Sequence, residues 1–315
     1  MKVSHVVLFL ALAGCVTAAE VPRVATVSVG QWPEDLVFDH GSGHLFVADE
    51  GSATVTVLNA MEERVGTIRL ASRARHLAVD SAQGQLYVPN EGHGFVTVFE
   101  TRGLREAFRV PVGPKPHGIG VDASAHRVFV ANEGDGSLTA LDGRSGQVLF
   151  TVPVGYGPGG VAVDPVTSRV FVVSVKQDRV LVIDGAHGLS IAAIAVGRGP
   201  THLRVNAKTG IVYVLNTEAG SVSVLDGRSL SVLTTLLVGD YPIGIAIDET
   251  AGRVYVINNR GNTLSIVDEA SLTVVATRPI PRNVSSAALN REAGVLYLAL
   301  KNENRVAVVR LCDLE

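Results

Sequence analysis

Glu34, Asp35, Arg75, His76, His117 and His202 are the residues of this chain whose types and spacing could do chemistry together. Imidazoles titrate near pH ~6.5, so three at one place can exchange protons or bind a metal at working pH. Arg75 can grip a carboxylate or phosphate through both arms of its guanidinium. Trp32, Tyr156 and Tyr241 would offer flat stacking faces, and Arg73, Lys115 and Arg198 would add positive charge at the rim. The plain alternative is that these groups line a wet channel and only solvate it.

An internal repeat is what must bring residues so far apart in sequence to one place. An acidic or amide residue follows an apolar triplet at Asp39, Asp80, Asp122, Asp164, Asn206, Asp248 and Asn290, at spacings of 41 and then 42 five times. Phe46, Tyr87, Phe129, Phe171, Tyr213, Tyr255 and Tyr297, each between two aliphatic residues, keep the same step. Each copy holds four short segments rich in Val, Ile, Thr and Tyr, such as 118–122, 127–131, 137–141 and 148–152, separated by Gly, Asp, Asn, Ser and Pro. These are β-strands, and no stretch carries a sustained 3.6-residue apolar stripe. Four strands in about 40 residues make one propeller blade, so the repeat predicts an all-β, seven-bladed β-propeller of antiparallel blades. The seventh copy runs out after its third strand, 306–309, while 24–30 matches the fourth-strand segments of the other copies. The N-terminal strand is therefore expected to complete the last blade and close the ring, leaving no sticky edge.

Comparing the copies with one another locates the candidate site. Four residues before the phase marker they read Asp35, His76, Gly118, Gly160, His202, Gly244 and Ser286; one position earlier they read Glu34, Arg75, His117, Gly159, Thr201, Ile243 and Ser285. Glycine is the default at the first of these positions, so blades one, two, three and five carry ionisable groups where the others stay small or apolar. The loop entering each first strand and the loop between second and third strands should share one face, the top. The opposite turns, such as 80–84 and 206–210, read as solvated structural turns. The loops Asp49-Glu50-Gly51, Asn90-Glu91-Gly92 and Asn132-Glu133-Gly134 could collect a hard cation, but turn-satisfying Asp/Asn side chains and water-facing glutamates explain them better. Zinc is weakly supported, because the three histidines lie on three blades and one ion needs its ligands at about 2 Å.

The copies resemble a family named for its Tyr-Val-Thr-Asn repeat, the YVTN β-propeller proteins. Tyr87-Val-Pro-Asn90, Phe129-Val-Ala-Asn132, Tyr213-Val-Leu-Asn216 and Tyr255-Val-Ile-Asn258 are similar to its signature, and 242–248 resembles its blade-opening motif. The likeness runs over residues 24–310 and departs at Ser174 and Leu300, while Asp49 keeps the turn chemistry. It implies the propeller strongly and a function weakly, since surface-layer proteins, envelope binding proteins, antibiotic-opening lyases and relatives of haem d1 proteins all look like members or neighbours.

Composition narrows the rest. Of 315 residues, 27 are Lys or Arg and 30 Asp or Glu, a formal charge of -3, so there is no basic field for nucleic acid. Lys2 and the apolar run 6–13 read as an export signal over residues 1–19, with 20–315 as one propeller domain. Leu12-Ala13-Gly14-Cys15 matches a bacterial lipobox with Cys15 lipidated, whereas Thr17-Ala18-Ala19 suits ordinary cleavage before Glu20; no segment is long enough to span a bilayer. Cys312 then has no disulfide partner. No cofactor is expected: a haem-binding Cys-x-x-Cys-His, a Gly-x-Ser-x-Gly elbow and a Walker loop are all missing. The chain therefore reads as a monomeric propeller of the periplasm or outer membrane, not an enzyme, that binds a small molecule or a protein through its top face and central channel. The competing reading is a metal-assisted lyase or hydrolase with His117 or His202 as acid/base and Glu34 or Asp35 as ligand or orienter.

Overall fold

A computed structural model describes residues 24–314; the expected export signal at 1–19, with Cys15, lies outside them. The described residues form seven four-stranded antiparallel sheets and three single-turn 3-10 helices. This is the expected seven-bladed propeller. Six blades follow chain order. The seventh pairs Ala25–Ser28 with Arg305–Arg310, in the register Ala25↔Val308 to Ser28↔Arg305, so the N-terminal strand closes the ring.

The core lies between blades rather than within them. The aromatic residue of each second strand, Phe46, Tyr87, Phe129, Phe171, Tyr213, Tyr255 or Tyr297, is buried between flanking aliphatics. One cluster joins Leu36 and Val47 of blade one to Tyr297 and Val306 of blade seven, with Val27 of the closing strand packed on it. Inward and outward side chains alternate along the strands, which is why period 2 was legible. The bottom turns behave as expected: Asp80 Oδ1 accepts the N–H groups of Ala82 and Gln83 at 3.0 Å, and Asn206 Oδ1 those of Lys208 and Thr209 at 2.9 and 3.2 Å.

The signature asparagine has a physical role at the top of the blade. Asn132 Nδ2 donates to Ser137 Oγ and Thr139 Oγ1, both at 2.9 Å, and Asn216 Nδ2 donates to Ser221 and Ser223 at 3.1 and 2.9 Å. The side chain thus ties the second strand to the third. A glycine of the preceding fourth-strand exit lies against it: a Cβ on Gly113, Gly197 or Gly239 would come within 2.6 Å of the neighbouring asparagine. In blade one, Asp49 takes the same place and accepts from Thr54 and Thr56 instead. The two blades that depart from the pattern replace the turn by a 3-10 turn, Val175–Gln177 after Ser174 and Lys301–Glu303 after Leu300.

Candidate functional site

The innermost strands position the site through an irregularity that most of them share. Pairing with the second strand shifts register between Pro33 and Asp35, Pro116 and Ile119, Pro200 and His202, and at the equivalent points of blades four, six and seven. The candidate residues Asp35, His117 and His202 sit in or beside these bulges, which re-aim side chains at the end of a ladder. In blade two Ala74 stands where five other blades have a proline, and the innermost strand shrinks to Ala78–Asp80. Arg75 and His76 therefore lie off the ladder, and the N–H of Leu77 is satisfied by the neighbouring blade's Asp35 Oδ2 at 3.1 Å. The default glycine is explained by crowding: a Cβ on Gly118 would fall 2.0 Å from Gly159 O, so adjacent strands touch there.

Asp35, His76, His117 and His202 converge. The His76 ring meets His117 at 4.6 Å and His202 at 5.0 Å between centroids, both edge-on, and His76 Nδ1 lies 3.5 Å from Asp35 Oδ2. Asp35 is buried, and its Oδ1 accepts from Leu36 N–H at 2.9 Å and from the Ser286 hydroxyl at 2.7 Å. Burial alone would raise this carboxyl, but His76, the Arg204 guanidinium and the Ser286 hydroxyl together hold it well below the usual range. Desolvation, helped by neighbouring His76, pushes His202 down to about 3, and burial with His76 and His202 nearby pushes His117 down as well. Both are neutral imidazoles at physiological pH. Their Nδ1 atoms are buried without a hydrogen-bond partner among the described residues.

Glu34 and Arg75 do not join this cluster; they belong to an ionic network above it. Lys301 Nζ reaches Glu34 Oε2 at 2.5 Å and Glu50 Oε2 at 3.0 Å, while Arg75 Nε reaches Glu50 Oε1 at 3.0 Å and Glu91 Oε2 at 3.7 Å. Arg73 stands 4.0 Å from the same Glu50. Burial would raise Glu50, but Lys301 and Arg75 outweigh it and keep the carboxylate charged. The guanidinium of Arg75 is thus already engaged by carboxylates of its own chain. Glu50 is buried rather than water-facing, contrary to the expectation for these loops, whereas Glu133 is exposed.

Trp32 is half exposed in the entry loop, its backbone N–H on Asn304 Oδ1 at 2.9 Å, and among the described residues no ring contact joins it to the histidines. Trp32, Lys115 and Tyr241 occupy equivalent left-handed positions with φ of 52°, 49° and 61°, where Gly157 and Gly199 stand in other blades. The Arg260 guanidinium stacks 3.9 Å above Tyr241. Lys115, Tyr156 and Arg198 are exposed at the rim.

The histidines are in contact, so distance between blades does not keep a metal away as the sequence implied. Even so, among the described residues no three His, Cys, Asp or Glu side chains are arranged to hold a metal ion. The cavity bordered by Asp35, His76 and His202 measures about 40 Å³, room for about three waters. Arg204 also borders it, and sequence comparison missed this residue. The signal was there: two positions before the phase marker the blades read Val37, Ala78, Gly120, Ala162, Arg204, Ala246 and Ala288. Lys301 was missed because it lies in the loop of the aberrant seventh blade.

No helix among the described residues is long and apolar enough to cross a membrane. No protein-family model matches the sequence. No curated protein matches it either. Among solved structures, a chain of the Kuenenia stuttgartiensis hydrazine synthase is similar with a TM-score of 0.76 and 19% identity, over 95% of this chain and 99% of that one. A chain of the mitotic checkpoint complex is similar with a TM-score of 0.80 and 12% identity, over 98% of both. At these identities the likeness is one of fold, and both matches agree with the complete seven-bladed ring.

Proposed function

We propose that this chain is an exported envelope propeller of the Tyr-Val-Thr-Asn repeat type that binds a ligand at the top-face mouth of its central channel. The observation that carries the reading is the convergence of Asp35, His76, His117 and His202, from four blades, beside one small cavity bordered by Asp35, His76 and His202, with the buried Nδ1 atoms of His117 and His202 unpartnered among the described residues. Buried polar atoms without partners cost free energy that a bound group can offset. The ionic network of Glu34, Glu50, Arg75 and Lys301 stiffens the rim. The top loops of blades one and seven are held together by it, as a binding face requires. A protein partner is also compatible with the fold, since one matched propeller was solved within a multi-protein complex. The metal-assisted lyase or hydrolase is the weaker reading, because no three donors among the described residues are disposed about one point.

A thermal-shift survey of small metabolites against the purified protein tests the proposal. Compounds that stabilise the wild type should lose that effect in His117→Gln and His202→Gln and keep it in Arg144→Ala, a bottom-face variant. If no stabilising compound depends on the mouth histidines, the site is only a solvated channel.

A further inference from the structure

We propose that Arg204 makes the waist of the central channel a carboxylate site, whose ligand is a short-chain carboxylate with its apolar tail pointing toward the bottom face. The inference deepens the channel-binding reading and rests on it. Arg204 is the one charged residue in a series otherwise made of Val, Ala and Gly, and it projects among small neighbours. It is exposed to the channel, its backbone pairs with Tyr213, and its guanidinium makes no hydrogen bond or ion pair with the described residues, acting on Asp35 only through its charge. Several arginines elsewhere are engaged: Arg127 holds Gly185 O at 2.7 Å, Arg169 holds Gly227 O at 2.6 Å, and Arg291 holds Asp248 at 3.1 Å.

Asp35 feels the Arg204 charge, but its oxygens are already engaged by Leu36, Leu77, Ser286 and His76. A guanidinium fork matches a carboxylate through two parallel N–H···O bonds. Two features fix the rest of the ligand. The compartment on the His side is only about 40 Å³, and the Asp35 carboxylate repels an anion there. On the bottom side Arg204 opens onto a compartment of about 260 Å³ walled mostly by Val37, Phe38, Ala246, Ile247, Ala288 and Leu289, with Glu249 as its one carboxylate. A few methylenes can be buried against that wall, while the head stays on Arg204.

Isothermal titration of the purified protein with acetate, butyrate and hexanoate, and with butanol and butylamine as controls, decides it. Butyrate should bind saturably at one site, and affinity should rise along acetate, butyrate and hexanoate by up to about fourfold per added methylene until the compartment is full. The two controls should not bind. Arg204→Gln should weaken butyrate at least about tenfold with unchanged melting, Arg204→Lys should weaken it less, and Arg198→Gln at the rim should leave it intact. Equal binding by Arg204→Gln, equal binding of butylamine, or no saturable uptake at millimolar butyrate overturns the proposal. If carboxylates fail while a compound still depends on His117 and His202, this inference alone falls. If both fail, the channel-binding reading falls with it.

Discussion

Asp49 stands where blades two, three, five and six have asparagine, and it pays for that in charge. Burial raises its carboxyl above the usual range despite the hydroxyls of Thr54 and Thr56. A group whose folded pKa is raised contributes stability that is complete below the unfolded value and lost as pH rises through the folded one, so Asp49 destabilises the blade at neutral pH. Asp49→Asn should therefore raise stability by about 1 kcal/mol at pH 7 and bring no gain below pH ~4, as urea melts at both pH values would register. His117 and His202 work in the opposite sense. Their folded pKa values are depressed, so the unfolded chain takes up protons first as pH falls below ~6.5, and stability drops toward pH 3, where His202 begins to titrate in the folded state. Replacing His202 by Gln should flatten the loss between pH 6.5 and 4 by about 3 kcal/mol; an unchanged pH profile of the melting temperature would contradict the buried, neutral assignment. Blade-to-blade comparison found Asp35, His76 and His202 because an ionisable group at a glycine position has no packing reason to exist, and His117 because it stands one position earlier beside Gly118. It also grouped Glu34 and Arg75 with them, and spacing could not show that Lys301, Glu50 and Glu91 engage those two in a network of their own.

At the scale of the element, strand existence was legible almost everywhere, because period-2 alternation and turn residues bracket each segment. Entry geometry was not. The bulges that aim Asp35, His117 and His202 leave the repeat spacing unchanged, and the one spacing of 41 instead of 42 reflects the shorter 59–63 turn of blade one rather than any change at the site. The departures at Ser174 and Leu300 did flag the two 3-10 turns, through the loss of the asparagine that ties the second strand to the third. The closing strand invites the firmest prediction. Removing residues 20–30 strips Arg305–Arg310 of its partner and exposes Val27's side of the cluster shared by blades one and seven. Aggregation and a lowered melting temperature should follow; a monodisperse monomer melting like the wild type would refute the role given to Ala25–Ser28.

At the scale of the molecule, the repeat determined the blade count because seven copies of one supersecondary unit admit few packings. The address of the molecule rests on residues 1–19 alone. If Cys15 is lipidated, the wild type should sediment with membranes and resist salt washing, and Cys15→Ser should block acylation; a soluble protein beginning at Glu20 would remove the anchor and leave the channel untouched.

The pairing of Ala25–Ser28 with Arg305–Arg310 also sets an order of events in time. Its partners are separated by nearly the whole chain, the least local contact the fold makes, and such contacts form last because loop closure must be offset before they reward it. Six blades can condense while the first strand is still searching. An incomplete seventh blade is then the last open edge on the folding route, and it is the point where a second chain could insert its own first strand and link two rings into a swapped dimer.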